Sequence, residues 1–269
     1  MQADSCDEIW TFIRAKDRTV KRSKRPMPAD AGDVWTWVAI DRDTKLVPAW
    51  AVGKRDAETG MAFMADLASR IAGRIQLTSD GLATYLEAVP WGFGDNVDFA
   101  RLVKVYGPPG GAEHERRYSP PVCLGSKAHV VSGDPDRASI STSHVERQNL
   151  TMRMQMRRYT RLTNGFSKKL SNHEAAVALH LLYYNFARAH GSLGGKTPAQ
   201  AAGVARYAWT CQDIAALLDD PKYADSFPLP GGEGQCHQMR MPQHPELVAL
   251  RNRPATIPSL SGTVPSRMV

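Results

Sequence analysis

The sequence predicts a mixed α/β domain: a sheet that begins as a three-stranded antiparallel meander, gains further strands, and is flanked by helices. Three observations carry this. Three short runs rich in aromatic and β-branched residues follow one another within the first 52 residues. Apolar residues at helical spacing then alternate with single strand-like runs as far as residue 106. Two long helical patterns follow residue 143.

Taken in order, residues 7–13 (DEIWTFI) form the first predicted strand, opened by Asp7. VWTWVAI at 34–40 and LVPAWAV at 46–52 are the next two, joined by the polar turn Asp41-Arg42-Asp43-Thr44. Met61, Met64, Leu67, Ala68 and Ile71 recur at helical spacing. A fourth strand, 75–78, runs into Ser79-Asp80-Gly81, where the glycine frees the backbone to turn. Residues 82–89 predict a helix and 102–106 a fifth strand. The Gly-, Pro- and Ser-rich stretch that opens with GPPGG at 107–111 reads as a long loop to about residue 140. Helical pattern returns near Ser143 and continues past Arg158. A second helix over 173–189 sets Val177, Leu181 and Tyr184 on a core stripe. Trp10, Trp35, Trp37 and Trp50 are expected in the sheet core, and Met152, Met154 and Met156 in packing. One domain therefore covers residues 1–220. Seven of the 18 prolines fall in 225–269, so residues 221–269 are expected to be an irregular or disordered tail.

Composition narrows the function classes. Hydrophobic residues at 42% and charged residues at 23% are ordinary for a globular domain and exclude a wholly disordered chain. No stretch approaches the roughly 18 apolar residues of a membrane helix, and the acidic N-terminus is unlike a signal peptide. Cys6, Cys123, Cys211 and Cys236 form no C-x-x-C pair, which argues against structural zinc and a disulfide framework. A cytoplasmic location is expected. The net charge of +7 is unevenly placed. Residues 14–25 carry seven bases and one acid, and residues 146–170 carry seven bases against Glu146. Two basic blocks suit a phosphate-contacting surface, and a solvated loop and helix face are the plain alternative.

Three acids stand out by position: Asp7 on the first strand, Asp80 at the end of the fourth, and Glu146 in the first turns of the helix from Ser143. In a ribonuclease-H-like arrangement the first and fourth strands are neighbours and a later helix crosses the sheet, bringing the three carboxylates to one point. Such a cluster is a site for Mg²⁺, with Mn²⁺ able to substitute, and two ions can drive cleavage of a phosphodiester. Singly, each acid also has a plain role; Ser143 with Glu146, for example, makes a capping box. The helix adds weight. Positions +3, +7 and +11 from Glu146 are Asn149, Arg153 and Arg157 on one face. A carboxylate heading amide and guanidinium groups fits a metal-bound phosphate with a nucleic-acid backbone alongside. Arg147, Arg158 and Arg161 widen that surface. Gly194-Gly195-Lys196-Thr197 lacks the first glycine and the preceding strand of a phosphate loop. Cys236, His237 and His244 fit no common metal spacing. His190 is read either as a DNA contact or as a packed ring.

The segments DEIWTFI, GDVWTWVAIDRDTKLVPAW, TSDG, STSHVERQNLTMRMQMRRYTRLTNGFSKK and YYNFARAHGSLGGKTPAQAAG closely resemble bacterial transposases of the insertion-sequence-one type. The resemblance covers residues 5–218. It implies a DDE transposase with a ribonuclease-H-like core, whose triad falls on Asp7, Asp80 and Glu146. It implies metal-dependent cleavage at element ends, then attack of the freed 3′-hydroxyl on target DNA. Asn149, Arg147, Arg153, Arg157, Arg158, Arg161, Lys168 and Lys169 would then meet double-stranded DNA. At least a homodimer is expected from the joining of two ends, with the protein at the nucleoid. Members usually carry a DNA-binding module before the first catalytic Asp, and here six residues precede Asp7. The alternative is a shortened, non-catalytic DNA-binding remnant.

Overall fold

The computed structural model describes residues 3–107, 123–160 and 163–217. The expected tail lies outside these residues, as do Cys236, His237, His244 and Arg161. In chain order the elements are β1 (Ala3–Ile13), α1 (Asp17–Arg22), β2 (Gly32–Asp41), β3 (Trp50–Gly53), α2 (Ala57–Arg70), β4 (Ile75–Ser79) and α3 (Tyr85–Phe93). β5 (Val97–Tyr106), β6 (Cys123–Ser132), α4 (Ser143–Gln155), α5 (Leu170–Leu182), α6 (Pro198–Ala201) and α7 (Cys211–Ala216) follow. The strands form one mixed sheet in the order β3-β2-β1-β4-β5-β6. β1, β2 and β3 pair antiparallel as the expected meander, with α1 in its first connection. β1, β4 and β5 run parallel, and β6 returns antiparallel at the edge.

Strand alternation assigns β1 to two cores. Cys6 joins Trp37, Phe63, Leu67, Leu77 and Tyr85 on the face covered by α2 and α3. Ile9 joins Val38, Val145, Met152 and Leu181 under α4 and α5. Each buried Val, Leu, Ile, Phe or Met among them contributes about 1.5–3 kcal/mol over its exposed state. α2 buries Phe63, Met64 and Leu67, and its N-cap Asp56 accepts from Thr59 N at 3.0 Å. Thr197 and Gln200 form the reciprocal capping box of α6, so the Gly194-Gly195 turn leads into a helix cap.

Several expectations are corrected. β1 starts at Ala3, so Asp7 lies mid-strand rather than opening it. β3 starts only at Trp50, because Pro48 has no N–H and the Val47 backbone is held by the Asn185 amide at 3.0 and 2.9 Å. α3 runs through Pro90 to Phe93 instead of stopping at 89. β5 begins at Val97 rather than 102, and β6 occupies part of the expected long loop. α4 stops at Gln155, short of Arg158, because Met156 turns extended and sinks into the core with Tyr159. Residues Arg157–Tyr159 form a separate 3₁₀ turn. Ser143 makes no capping box: Thr142 is the N-cap, without a side-chain cap bond. α5 ends at Leu182 and continues as a π-helical stretch, Tyr183–Ala187. Trp37 and Trp50 are buried, whereas Trp10 and Trp35 are half-buried. Met152 and Met156 pack, but Met154 is exposed.

Candidate functional site

β1 and β4 pair in parallel from Ala3–Gln76 to Cys6–Ser79. There β4 ends and the chain turns at Asp80-Gly81, while β1 continues through Asp7 and Glu8. Off the end of β4 the carboxylates of Asp7, Glu8 and Asp80 converge, with one oxygen of each within 4.8 Å of the others. Asp7 comes from the α4 side of the sheet. Its Oδ1 accepts from Glu8 N at 2.8 Å and its Oδ2 from Asn149 Nδ2 on α4 at 2.9 Å. Glu8 comes from the opposite face, its side chain only 1% exposed. It accepts from Tyr85 OH at 3.0 Å and from Arg55 Nε at 2.6 Å. A second Arg55 nitrogen lies 3.8 Å from Asp80 Oδ2. Asp80 Oδ1 accepts from Leu82 N at 2.9 Å, which fixes the turn.

Electrostatics at this point run against ionisation. Burial, then the Asp80 charge, pushes Asp7 up to about 6, with Glu146 adding to the effect. Burial, then Asp80 and Asp7, pushes Glu8 up to about 7 against the pull of Arg55. Carboxylates held this close are relieved by a proton or by a cation. All the converging ligand atoms are carboxylate oxygens, the donor set of a hard divalent ion.

Glu146 stands apart from that tight group. Its Oε1 accepts from Thr142 Oγ1 at 2.6 Å and pairs with Lys104 Nζ of β5 at 2.7 Å. It remains near enough to raise Asp7, and the Lys104 ammonium, itself raised first by its bond to Glu146, also feels Asp7. The structure thus brings Asp7 and Asp80 together with Glu8, and leaves Glu146 outside that group, in an ion pair with Lys104. No reading of the sequence singled out Glu8, yet a signal existed: it shares a β1 face with buried Cys6, where a charge is out of place.

The expected DNA-contacting residues divide. Arg147, Arg153, Arg157, Lys168 and Lys169 are exposed. Arg157 has left the Glu146–Asn149–Arg153 face, because α4 ends before it. Arg158 turns inward instead of widening the surface: its NH1 donates to Ser167 Oγ at 2.6 Å and its carbonyl accepts from Thr11 at 2.8 Å. Asn149 is buried and spends its amide on Asp7, so it orients a carboxylate rather than facing solvent. His190 is half-buried, its ring edge-on to Tyr184 at 5.1 Å. Among the described residues no helix is long and apolar enough to cross a membrane, and Cys6, Cys123 and Cys211 are free thiols. A comparison with protein-family models found no match, and a comparison with curated proteins found none either.

Proposed function

We propose that this chain is the catalytic domain of a DDE transposase of the insertion-sequence-one type, built on a ribonuclease-H-like core. The observation that carries the reading is the convergence of Asp7 and Asp80, 73 residues apart in sequence, off the end of β4, with Glu146 on the helix that crosses them. Support also comes from β1 and β4 being parallel neighbours and from α4 contacting β1 through Asn149.

Mg²⁺, or Mn²⁺ in its place, would be held as two ions by Asp7, Asp80 and Glu146 and would supply the charge that ionises an attacking oxygen and steadies a leaving one. The chain's own residues do the rest. Asn149 and the Glu8 backbone N–H each donate to one Asp7 oxygen and so orient the carboxylate. The Glu8–Arg55 pair braces Asp80 from behind. Arg147 and Arg153, exposed along α4, meet backbone phosphates. In cleavage, a water oxygen adds to the scissile phosphorus as the P–O3′ bond breaks, leaving a 3′-hydroxyl. In strand transfer, that hydroxyl attacks a target phosphodiester and displaces the target's own 3′ oxygen. Two ends must be joined, so the working species is at least a homodimer on double-stranded DNA.

The test is incubation of the purified chain with Mn²⁺ and a labelled duplex made from the DNA flanking its own gene, beside Glu146→Gln. Metal-dependent nicking or joining that vanishes in the variant, with DNA binding retained, is the expected result. Binding without cleavage by either protein would overturn catalysis in favour of a DNA-binding remnant.

A further inference from the structure

We infer that the β1–β2 connection and the chain around Ser167 form one basic platform that holds the phosphate backbone of duplex DNA about half a helical turn from the carboxylate cluster. The inference deepens the transposase reading, on which it rests for the meaning of that distance.

The connection is built to display charge. Arg14, Lys16, Arg18, Lys21, Arg22, Lys24 and Arg25 are all exposed, and none is in an ion pair among the described residues. α1, in their midst, buries no residue at all. A helix with no buried face gains little from packing, and its basic side chains are left to solvent. The one acid of the block is engaged: Asp17 Oδ1 accepts from Asp33 N at 2.7 Å, and Asp17 N donates to Asp33 Oδ1 at 3.3 Å. This exchange pins the start of α1 to the start of β2. Lys16 lies over the Trp10 ring at 5.4 Å, which fixes its stem as well.

The second basic block is stitched to the first. Arg14 N donates to Ser167 O at 2.7 Å, and Ile13 and Ser167 pair as an isolated parallel bridge. Phe12 and Phe166 rings lie 5.0 Å apart, and Leu170 N donates to Asp30 Oδ2 at 2.8 Å. Exposed Lys168 and Lys169 follow directly. Two blocks more than 120 residues apart in sequence therefore make one surface.

Direction and distance complete the argument. β1 carries the chain from Asp7 to Ile13, about 20 Å at roughly 3.3 Å per residue. α4 and the 3₁₀ turn that follows it run the same way, with Asn149 at Asp7 and the Arg158 carbonyl at Thr11. About 20 Å of duplex is roughly six base pairs at 3.4 Å per phosphate on each strand. No large apolar side chain is exposed in the 14–25 segment, so the surface suits phosphates rather than a membrane interface.

The experiment measures binding of the full chain to a 30-base-pair duplex in EDTA, for wild type, for Arg18→Gln/Lys21→Gln/Arg22→Gln/Lys24→Gln, and for Lys168→Gln/Lys169→Gln. Each variant is expected to bind about tenfold or more weakly near 0.1 M salt, with the salt slope reduced by about 0.9 for each phosphate no longer neutralised. Arg18→Lys/Arg22→Lys keeps the charge and is expected to bind like wild type. Unchanged affinity and slope in the fourfold variant would overturn the platform, as would wild-type partition onto phosphatidylserine vesicles without duplex binding. Nicking in Mn²⁺ by wild type and Glu146→Gln is read in parallel. Normal binding by the fourfold variant with nicking abolished in Glu146→Gln sinks the platform alone. Weakened binding with nicking indifferent to Glu146 sinks the transposase reading alone.

Discussion

Asn149 on α4 donates its Nδ2 to Asp7 Oδ2 on β1 at 2.9 Å, joining a helix to a strand across 142 residues of sequence. The amide sits one helical turn after Glu146, so it couples the position of the helix to the carboxylate on the sheet. Asn149→Ala is expected to cost about 1 kcal/mol of stability, as for one buried hydrogen bond. Nicking should fall about 10–100-fold, as misplacement of a catalytic group does, while duplex affinity stays within about twofold. Rate and affinity measured on the same duplex check this; parallel loss of both would mean Asn149 acts on DNA.

Glu8 and Arg55 form a pair with one partner almost fully buried. Arg55→Ala leaves the Glu8 charge unpaired, though Arg55 is itself 41% exposed, which discounts the loss. A destabilisation of about 1–2 kcal/mol is expected in urea unfolding at pH 8, below the 3–5 kcal/mol of a fully buried pair. Glu8→Gln in the Arg55→Ala background should restore much of it. Failure of that rescue would show that Arg55 works through packing instead.

Lys104 already holds Glu146, so a metal ion bound there as proposed would compete with it. Lys104→Met removes the competing ammonium, so half-maximal nicking should need several-fold less Mn²⁺. The effect is modest because both side chains are more than a third exposed and screened. A Mn²⁺ titration of nicking decides it, and an unchanged midpoint would count against Glu146 as a ligand.

Asp4 is buried beside Asp41, with both its oxygens unpartnered, and burial followed by the Asp41 charge raises it to about 7. A carboxyl whose folded value lies above its unfolded one stabilises the fold at low pH and loses that contribution as pH rises towards 7. Asp4→Asn should therefore stabilise the protein by about 1–3 kcal/mol at pH 8, at about 1.4 kcal/mol per decade of proton affinity, and far less at pH 4. Equal effects at both pH values in urea unfolding would refute this.

His173 carries the opposite sign. Burial, then Arg158, lowers it to about 4 from an ordinary 6.5. The unfolded chain binds the extra proton between those values, so stability is full above about 6.5 and is lost as pH falls towards 4. His173→Gln keeps partners for Tyr159 OH and Ser167 Oγ, 3.3 and 3.2 Å from the ring nitrogens, and cannot titrate. Its unfolding free energy should fall less steeply below pH 6.5, by up to about 1.4 kcal/mol per pH unit. An unchanged slope would place the acid lability elsewhere.

What could be read from the residues follows what each element buries. α2 was legible because Met61, Met64 and Leu67 set an apolar stripe on one face, and β4 because all five of its residues are buried. β6 is exposed along its whole length, so no alternation of apolar and polar residues marks it. The end of α4 depends on Met156 turning into a core assembled from β1, β2 and α5, which no local spacing encodes. Asp7, Asp80 and Glu146 stood out as a strand opening, a turn and a first helical turn, although Asp7 in fact lies mid-strand and Ser143 makes no capping box. Arg158 looked like surface because its partner, Ser167, comes from a later loop.

The π-helical stretch Tyr183–Ala187 closes its hydrogen bond over one residue more than the helix it extends, with Arg188 N donating to Tyr183 O. That surplus sets the phase of everything after it. It aims Asn185 at the Val47 backbone and Phe186 at Leu46, Ala199 and Val204. Removing a single residue here would advance the downstream chain by about 100° of helical rotation, at 3.6 residues per turn. The amide clasp and the small C-terminal core would then face solvent together. A deletion in this short segment would therefore break the Asn185 clasp and the Phe186 packing at once, although it lies far along the chain from Asp7 and Asp80.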